Sequence, residues 1–167
     1  MYYDEIPDDA EFLKNLHPTS DLDLIEVEFY KVTVDSQDGS SVGLYTTPDK
    51  IIGIDFNSIE GTMLTFVVSG CADNSHLRTI YHLYLETMNL VKFNLDKVVI
   101  ESKRGDMIYA RLHWIDHKGR KIFKVCSAAD ATVLALMSNK TIYVIKKVLD
   151  DLEDYTEYDN NLKYEEE

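Results

Sequence analysis

Two acidic residues, Glu60 and Asp130, stand at positions where a carboxylate serves either hydrolysis or helix capping. Hydrolysis of a phosphodiester needs a positioned water, stabilisation of charge at the phosphate and, in most such enzymes, a metal held by carboxylates. Each acid also follows a capping residue, Asn57 or Ser127, by three positions, where a carboxylate complements the helix dipole. Capping alone and a catalytic or metal-binding role are therefore both open for these two side chains.

Cationic residues concentrate in the middle of the chain, and Arg111 is the candidate ligand for a phosphate because its guanidinium offers paired donors. The alternative for Arg111 is a strand arginine on a solvated face. Between Lys97 and Lys124 there are eight basic and three acidic residues, a net charge of +5, with aromatic residues interleaved that could stack on bases. We predict nucleic-acid contact by six side chains of this segment: Lys103, Arg104, Lys118, Arg120, Lys121 and Lys124. The alternative is that the aromatic residues belong to the core and the basic residues near the turns are simply solvated.

Other motifs for chemistry are weak in this sequence. His113 and His117 are four residues apart, a spacing that suits a metal on a helix, but here they span a predicted strand and its turn. The metal therefore stays unidentified, and a divalent cation is the candidate cofactor. We find no glycine-rich phosphate loop and no serine-centred elbow in the sequence.

The formal net charge of −13 belongs mainly to the two ends of the chain. Residues 1–24 carry seven acids and one lysine, a net −6, and residues 150–167 carry nine acids and one lysine, a net −8. The segment between them is close to neutral at +1. We therefore predict an acidic N-terminal arm over 1–24, a domain over 25–149 and an acidic C-terminal tail over 150–167. The neutral domain keeps DNA or RNA open as a partner.

The cysteine count, the first residues and the length of the apolar runs together predict the cellular compartment. Two cysteines, Cys71 and Cys126, do not make a disulfide framework. The first nine residues are acidic and lack the features of a signal peptide, and no apolar run approaches the ~20 residues that span a bilayer. The expectation is a cytoplasmic protein with no membrane partner.

Hydrophobic periodicity and turn residues predict the elements that must position these side chains. Alternation predicts strands over 24–34, 42–45, 51–56, 97–103, 107–115, 121–126 and 141–145. Helical spacing and caps predict helices from Asn57 to near Gly70, from Asn74 or Ser75 to Leu90, from Ser127 to Leu136 and from Lys146 to Leu152. The order βββ-αα-βββ-α-β-α, with strands and helices in blocks, predicts an α+β fold with a mixed, largely antiparallel sheet and packed helices.

Three stretches of this pattern resemble one family. The first is the strand and helix from Ile54 to Gly70, which includes Glu60. The second is Val98–Ile100 followed by Gly105-Asp106 and by Tyr109–Leu112. The third is Asp130-Ala131 followed by Leu134–Leu136 and Ile142–Val144. In their order and spacing, from Ile25 to Leu149, these stretches resemble the bifunctional nuclease domain, a family associated with DNase and RNase activity.

The resemblance implies a nuclease that hydrolyses DNA or RNA phosphodiester bonds and forms a homo-oligomer. Glu60 and Asp130 would then act on water or metal, and Arg111 on phosphate. Two departures leave an alternative open: Ser127–Ala129 stand where the family commonly has Arg-Pro-Ser, and Leu77–Thr79 stand where it commonly has Thr-His-Asp. The alternative is a catalytically inactive interaction or regulatory module on the same fold, with a protein partner.

Overall fold

The computed structural model describes residues 23–34, 40–70 and 79–157 of the chain. The predictions for residues 1–22, for a helix start at Asn74 or Ser75 and for residues 158–167 lie outside these ranges. The strands are β1 Leu24–Val34, β2 Ser41–Thr46, β3 Ile51–Phe56, β4 Phe93–Arg104, β5 Met107–Asp116, β6 Lys121–Ser127, β7 Ile142–Ile145 and β8 Glu153–Asp154. The helices are α1 Ser58–Val68, α2 Ile80–Leu90, α3 Ala128–Met137 and α4 Lys146–Asp150.

The strands form one eight-stranded sheet in the order β6-β5-β4-β7-β1-β2-β3-β8. β4 and β7 run parallel, and the other six neighbouring pairs run antiparallel. This confirms the predicted α+β class and its mixed, largely antiparallel sheet. The order of elements also agrees with the prediction, apart from the short strand β8 that follows the last helix.

The start of α2 is set by a local cap. Thr79 has an extended backbone, with φ −92° and ψ 168°, and its N–H donates to His82 Nδ1 at 3.1 Å. An extended residue cannot continue a helix, so the described helix begins at Ile80, and the predicted continuous helix from Asn74 or Ser75 is wrong at this point. The end of the helix at Leu90 agrees with the prediction.

The core lies between the sheet and the helices on one of its faces, which we call the helix face. Trp114, Ile100 and Leu64 are almost fully buried there, with at most 1% of each exposed, and burial of each such side chain contributes about 1.5–3 kcal/mol. Thr132 of α3 lies 2.7 Å from the hydroxyl of the buried Tyr45. This contact between two hydroxyls ties α3 to the sheet, whereas Nε1 of Trp114 in the same core is buried with no hydrogen-bond partner among the described residues.

Residues after α4 close the far edge of the sheet. β8 pairs with β3, Tyr155 N–H donates to Ile51 O at 2.8 Å, and Ile51 N–H donates to Thr156 Oγ1 at 3.0 Å. The Tyr155 ring packs on Gly53, where a Cβ atom would collide with it. Residues 150–157, which were predicted as the start of the acidic tail, therefore pack against the domain.

Candidate functional site

Glu60 caps the helix that carries it. The Glu60 N–H donates to Asn57 Oδ1 at 2.9 Å, and the Asn57 N–H donates to Glu60 Oε2 at 3.0 Å. This reciprocal pair is the capping box predicted from the sequence. One oxygen of Glu60 is thus engaged in closing the first turn of α1.

Asp130 also belongs to a helix start, but its carboxylate has a different partner. Its N–H donates to Ser127 Oγ at 3.1 Å, which confirms Ser127 as the cap of α3. Its Oδ1 accepts a hydrogen bond of 2.6 Å from the hydroxyl of Tyr81 on α2. Among the described residues, no lysine or arginine forms an ion pair with Asp130, so its charge is balanced by hydrogen bonding alone.

The hydroxyl of Tyr81 stays protonated at neutral pH. Burial raises the pKa of Tyr81, the hydrogen bond to Asp130 raises it further, and the charges of Asp130 and Glu60 act in the same direction. Tyr81 is therefore a fixed hydrogen-bond donor to Asp130 and does not act as a base.

Arg111 lies on the opposite face of the sheet. Its neighbour Leu112 is buried on the helix face with Trp114, whose ring contacts Tyr84 of α2 at a centroid distance of 5.6 Å. Successive strand residues point to opposite faces, so Arg111 points away from the helices. Both its Nε and Nη2 lie 2.9 Å from Glu101 Oε1.

The Arg111–Glu101 ion pair is largely buried, with side-chain exposures of 11% and 3%. Burial raises the pKa of Glu101, and the adjacent Arg111 guanidinium offsets part of that rise. The charge of Arg111 is therefore paired with a buried carboxylate, and little of its side chain is exposed to a phosphate. The structure thus brings Glu60 and Asp130 into one helix layer and leaves Arg111 outside it.

The six predicted nucleic-acid ligands do not form one surface. Lys103 and Arg104 lie at the turn that opens β5, whereas Lys118, Arg120 and Lys121 lie at the turn that closes it. Ten strand residues separate these turns by roughly 30 Å. The sixth, Lys124, pairs with Leu112 across β5 and β6, on the helix face. Arg120 also binds Asp116, with 2.6 Å between Nε and Oδ2.

A cavity of about 550 Å³ lies beside Asp130 between α2, α3 and the strands β5 and β6. We call it the α2 cavity. Its walls are mostly aliphatic and aromatic side chains. The lining residues are Ile80, Tyr81, Leu83, Tyr84, Thr87, Leu112, Lys124, Val125, Cys126, Asp130 and Leu134. Sequence reasoning missed Tyr81 and Tyr84 as site residues, although tyrosine within an apolar helical stripe was a signal that a polar partner is near.

The thiol in this cavity is unreactive. Burial, together with the charge of Asp130, raises the pKa of Cys126 to about 12. A thiol with this pKa is protonated at neutral pH and is a poor nucleophile. Cys126 therefore contributes an apolar wall to the α2 cavity.

A second cavity of about 320 Å³ lies between the starts of α1 and α3 and the β4–β5 turn. Glu60 and Asn57 line it from α1, Ser127 lines it from α3, and Asp106 lines it from the turn. We call it the cap cavity. Across residues 23–34, 40–70 and 79–157, no three or more His, Cys, Asp and Glu side chains are grouped closely enough to hold a metal ion.

Comparison with protein-family models and with curated proteins finds no match to this chain. The resemblance to the bifunctional nuclease domain therefore stays an interpretation of the sequence pattern. Within the described part of the chain, no helix has the length and apolar character required to cross a bilayer.

Proposed function

We propose that this chain is a binding module without phosphodiesterase activity, and that its α2 cavity binds a small aromatic molecule with a protonated amine. The observation that carries the proposal is the separation of the three candidate catalytic side chains. Glu60 and Asp130 belong to the helix layer, whereas Arg111 lies on the opposite face in an ion pair. Phosphodiester hydrolysis requires the acid and the cation to converge on one phosphate.

The chemistry of the α2 cavity supports this class of ligand. Its volume falls in the range of small-molecule sites, which are mostly apolar with a few placed polar groups. Leu83, Tyr84 and Leu112 offer contact area to an aromatic ring. Asp130 has no cationic partner among the described residues, so a ligand ammonium would form a charge-assisted hydrogen bond with it.

The test is a titration with 1-naphthylmethylamine, followed by naphthalene fluorescence and by calorimetry. A ligand of this size should bind with a Kd on the order of 0.1–1 mM. Thr87→Trp places a bulky ring at the cavity wall, and we expect it to abolish binding. Thr62→Trp is the matched control, because Thr62 and Thr87 are both exposed helix residues whose hydroxyls donate to the carbonyl four residues back. Equal binding by the Thr87→Trp variant would contradict the proposal.

A second candidate function, nuclease activity, is favoured by the adjacency of the starts of α1 and α3 around the cap cavity. Purified protein should be incubated with plasmid DNA and with RNA in Mg²⁺ or Mn²⁺, with and without chelator. Cleavage by the wild type that is lost in both Glu60→Ala and Asp130→Ala would establish the nuclease and refute the non-hydrolytic module. We expect the wild type to cleave DNA and RNA no more than either variant does.

The remaining expectations stay predictions from the sequence. A cytoplasmic location depends on the cysteine content and the acidic start of the chain. Contact with DNA or RNA, a divalent cation as cofactor and a homo-oligomer depend on the basic segment and on the family resemblance. Size measurement in solution and filter binding with both nucleic acids would test the oligomer and the nucleic-acid contact.

A further inference from the structure

The two edges of the sheet differ in how they are closed. At one edge, β3 is covered by β8 and by the hydrogen bonds of Tyr155 and Thr156. At the other edge, β6 pairs with β5 in continuous register over seven residues, and it has no second neighbour among the described strands. Such a strand presents alternate backbone N–H and C=O groups to an additional strand.

β6 lacks two common devices that prevent strand addition. It contains no proline, and its pairing with β5 shows no bulge. Its Phe123 side chain is 46% exposed, although Arg111 and His113 contact one side of that ring. The strand therefore offers apolar contact together with open backbone groups.

The charge of this edge indicates which kind of strand would bind to β6. Lys121 and Lys124 are exposed on β6, and Lys118 is exposed in the turn before it. The nearby carboxylate Asp116 is held by Arg120 and by two backbone N–H groups. A second copy of β6 would put the exposed lysines of both strands at one edge, and repulsion between like charges disfavours such a strand pair.

We propose that β6 is a docking edge for an extended acidic segment of a partner protein, which adds as a ninth strand beside β6. Main-chain hydrogen bonds would supply the sequence-independent part of the affinity. Lys124 on the helix face and Lys121 on the opposite face would each attract an acidic side chain on its own face of the added strand. This surface is separate from the amine-binding role of the α2 cavity, although Lys124 borders both.

The test uses the full chain and a fluorescein-labelled eight-residue peptide, Val-Glu-Val-Val-Glu-Val-Val-Glu, with anisotropy as the readout. Its glutamates are three positions apart, so they point to both faces of an added strand. We expect saturable binding that weakens at least tenfold in the Lys121→Glu/Lys124→Glu variant. The matched control, Lys140→Glu/Lys146→Glu, also reverses two exposed lysines and should bind like the wild type. Amide exchange of residues 121–127 should slow when the peptide is bound.

Two further outcomes would overturn the proposal. A peptide of the same charge with N-methyl groups on alternate residues cannot form the main-chain hydrogen bonds of an added strand. Equal binding of that peptide would show that the contact is only electrostatic. A concentration-dependent dimer that excludes the peptide and is lost in the Lys121→Glu/Lys124→Glu variant would show that a second copy occupies the edge. Absence of binding to the wild-type chain would also refute the proposal.

Discussion

Each face of the sheet has a carboxylate that is at least partly buried, but the charges of the two carboxylates are balanced differently. On the face opposite the helices, Glu101 is neutralised by Arg111 in a largely buried ion pair. On the helix face, Asp130 accepts from the neutral hydroxyl of Tyr81 and borders the α2 cavity. A carboxylate that is already paired with a cation is a structural element, whereas one held by a neutral donor still attracts a positive ligand.

The largest expected effect is on the face opposite the helices. Arg111→Met would leave the Glu101 charge buried without its partner, and we expect the free energy of unfolding to fall by about 3 kcal/mol. Urea denaturation at pH 7 measures this loss. The double variant Glu101→Gln/Arg111→Met removes both charges and should recover more than half of it. If Arg111→Met were as stable as the wild type, the ion pair would have no structural role. That result would contradict the proposed difference between the two faces of the sheet.

The corresponding change on the helix face should cost less. Tyr81→Phe removes one hydrogen bond to a carboxylate that is partly accessible to water, so we expect a loss of about 1–2 kcal/mol. The same urea measurement applies. Tyr45→Phe is a useful companion, because its buried hydroxyl lies 2.7 Å from a neutral threonine, and we expect about 1 kcal/mol there. A larger loss from Tyr81→Phe than from Arg111→Met would reverse the proposed difference between the faces.

The smallest expected effect is a change of stability with pH, which arises from His113 on the face opposite the helices. Burial, with the charges of Lys97 and Arg111, lowers the pKa of His113 to about 4, although Asp96 opposes this. The unfolded chain binds this proton at about pH 6.5, so the unfolded state protonates first on acidification. The contribution of His113 to stability is thus present above pH 6.5 and is lost as the pH falls from about 6.5 towards 4.

Two measurements check this dependence. An NMR titration should place the pKa of His113 well below 6. The urea midpoint of His113→Gln should decline less between pH 7 and pH 5 than that of the wild type. A pKa near 6.5 in the folded protein would contradict the desolvated environment assigned to this face.

Local signals in the sequence predicted local structure well. The bounds of β1 and β3 agree with the predicted strands, and the Asn57–Glu60 capping box forms as predicted. These features succeed because their physical causes, alternation and a cap three residues away, lie within a few positions of one another. Ser127 was predicted as a cap for the same reason.

The partners of the site residues could not be predicted in this way. Tyr81 and Asp130 are 49 positions apart, and their contact depends on α2 and α3 packing side by side. Strand alternation places Arg111 and Leu112 on opposite faces, but the choice of the face that the helices cover is a property of the whole fold. The bulge between Ile100 and Ser102 also changes the register beside Glu101, and no turn residue in the sequence marked it.

The most direct test of the account compares the two carboxylates as ligands for an amine. Asp130→Asn keeps an acceptor for Tyr81 but removes the charge, so the affinity for 1-naphthylmethylamine should fall about tenfold, the equivalent of about 1.4 kcal/mol. The affinity for the neutral 1-naphthylmethanol should not change in this variant. Glu101→Gln should leave the affinity for the amine as in the wild type. Unchanged amine affinity in Asp130→Asn, or an equal fall in Glu101→Gln, would contradict the assignment of ligand recognition to Asp130.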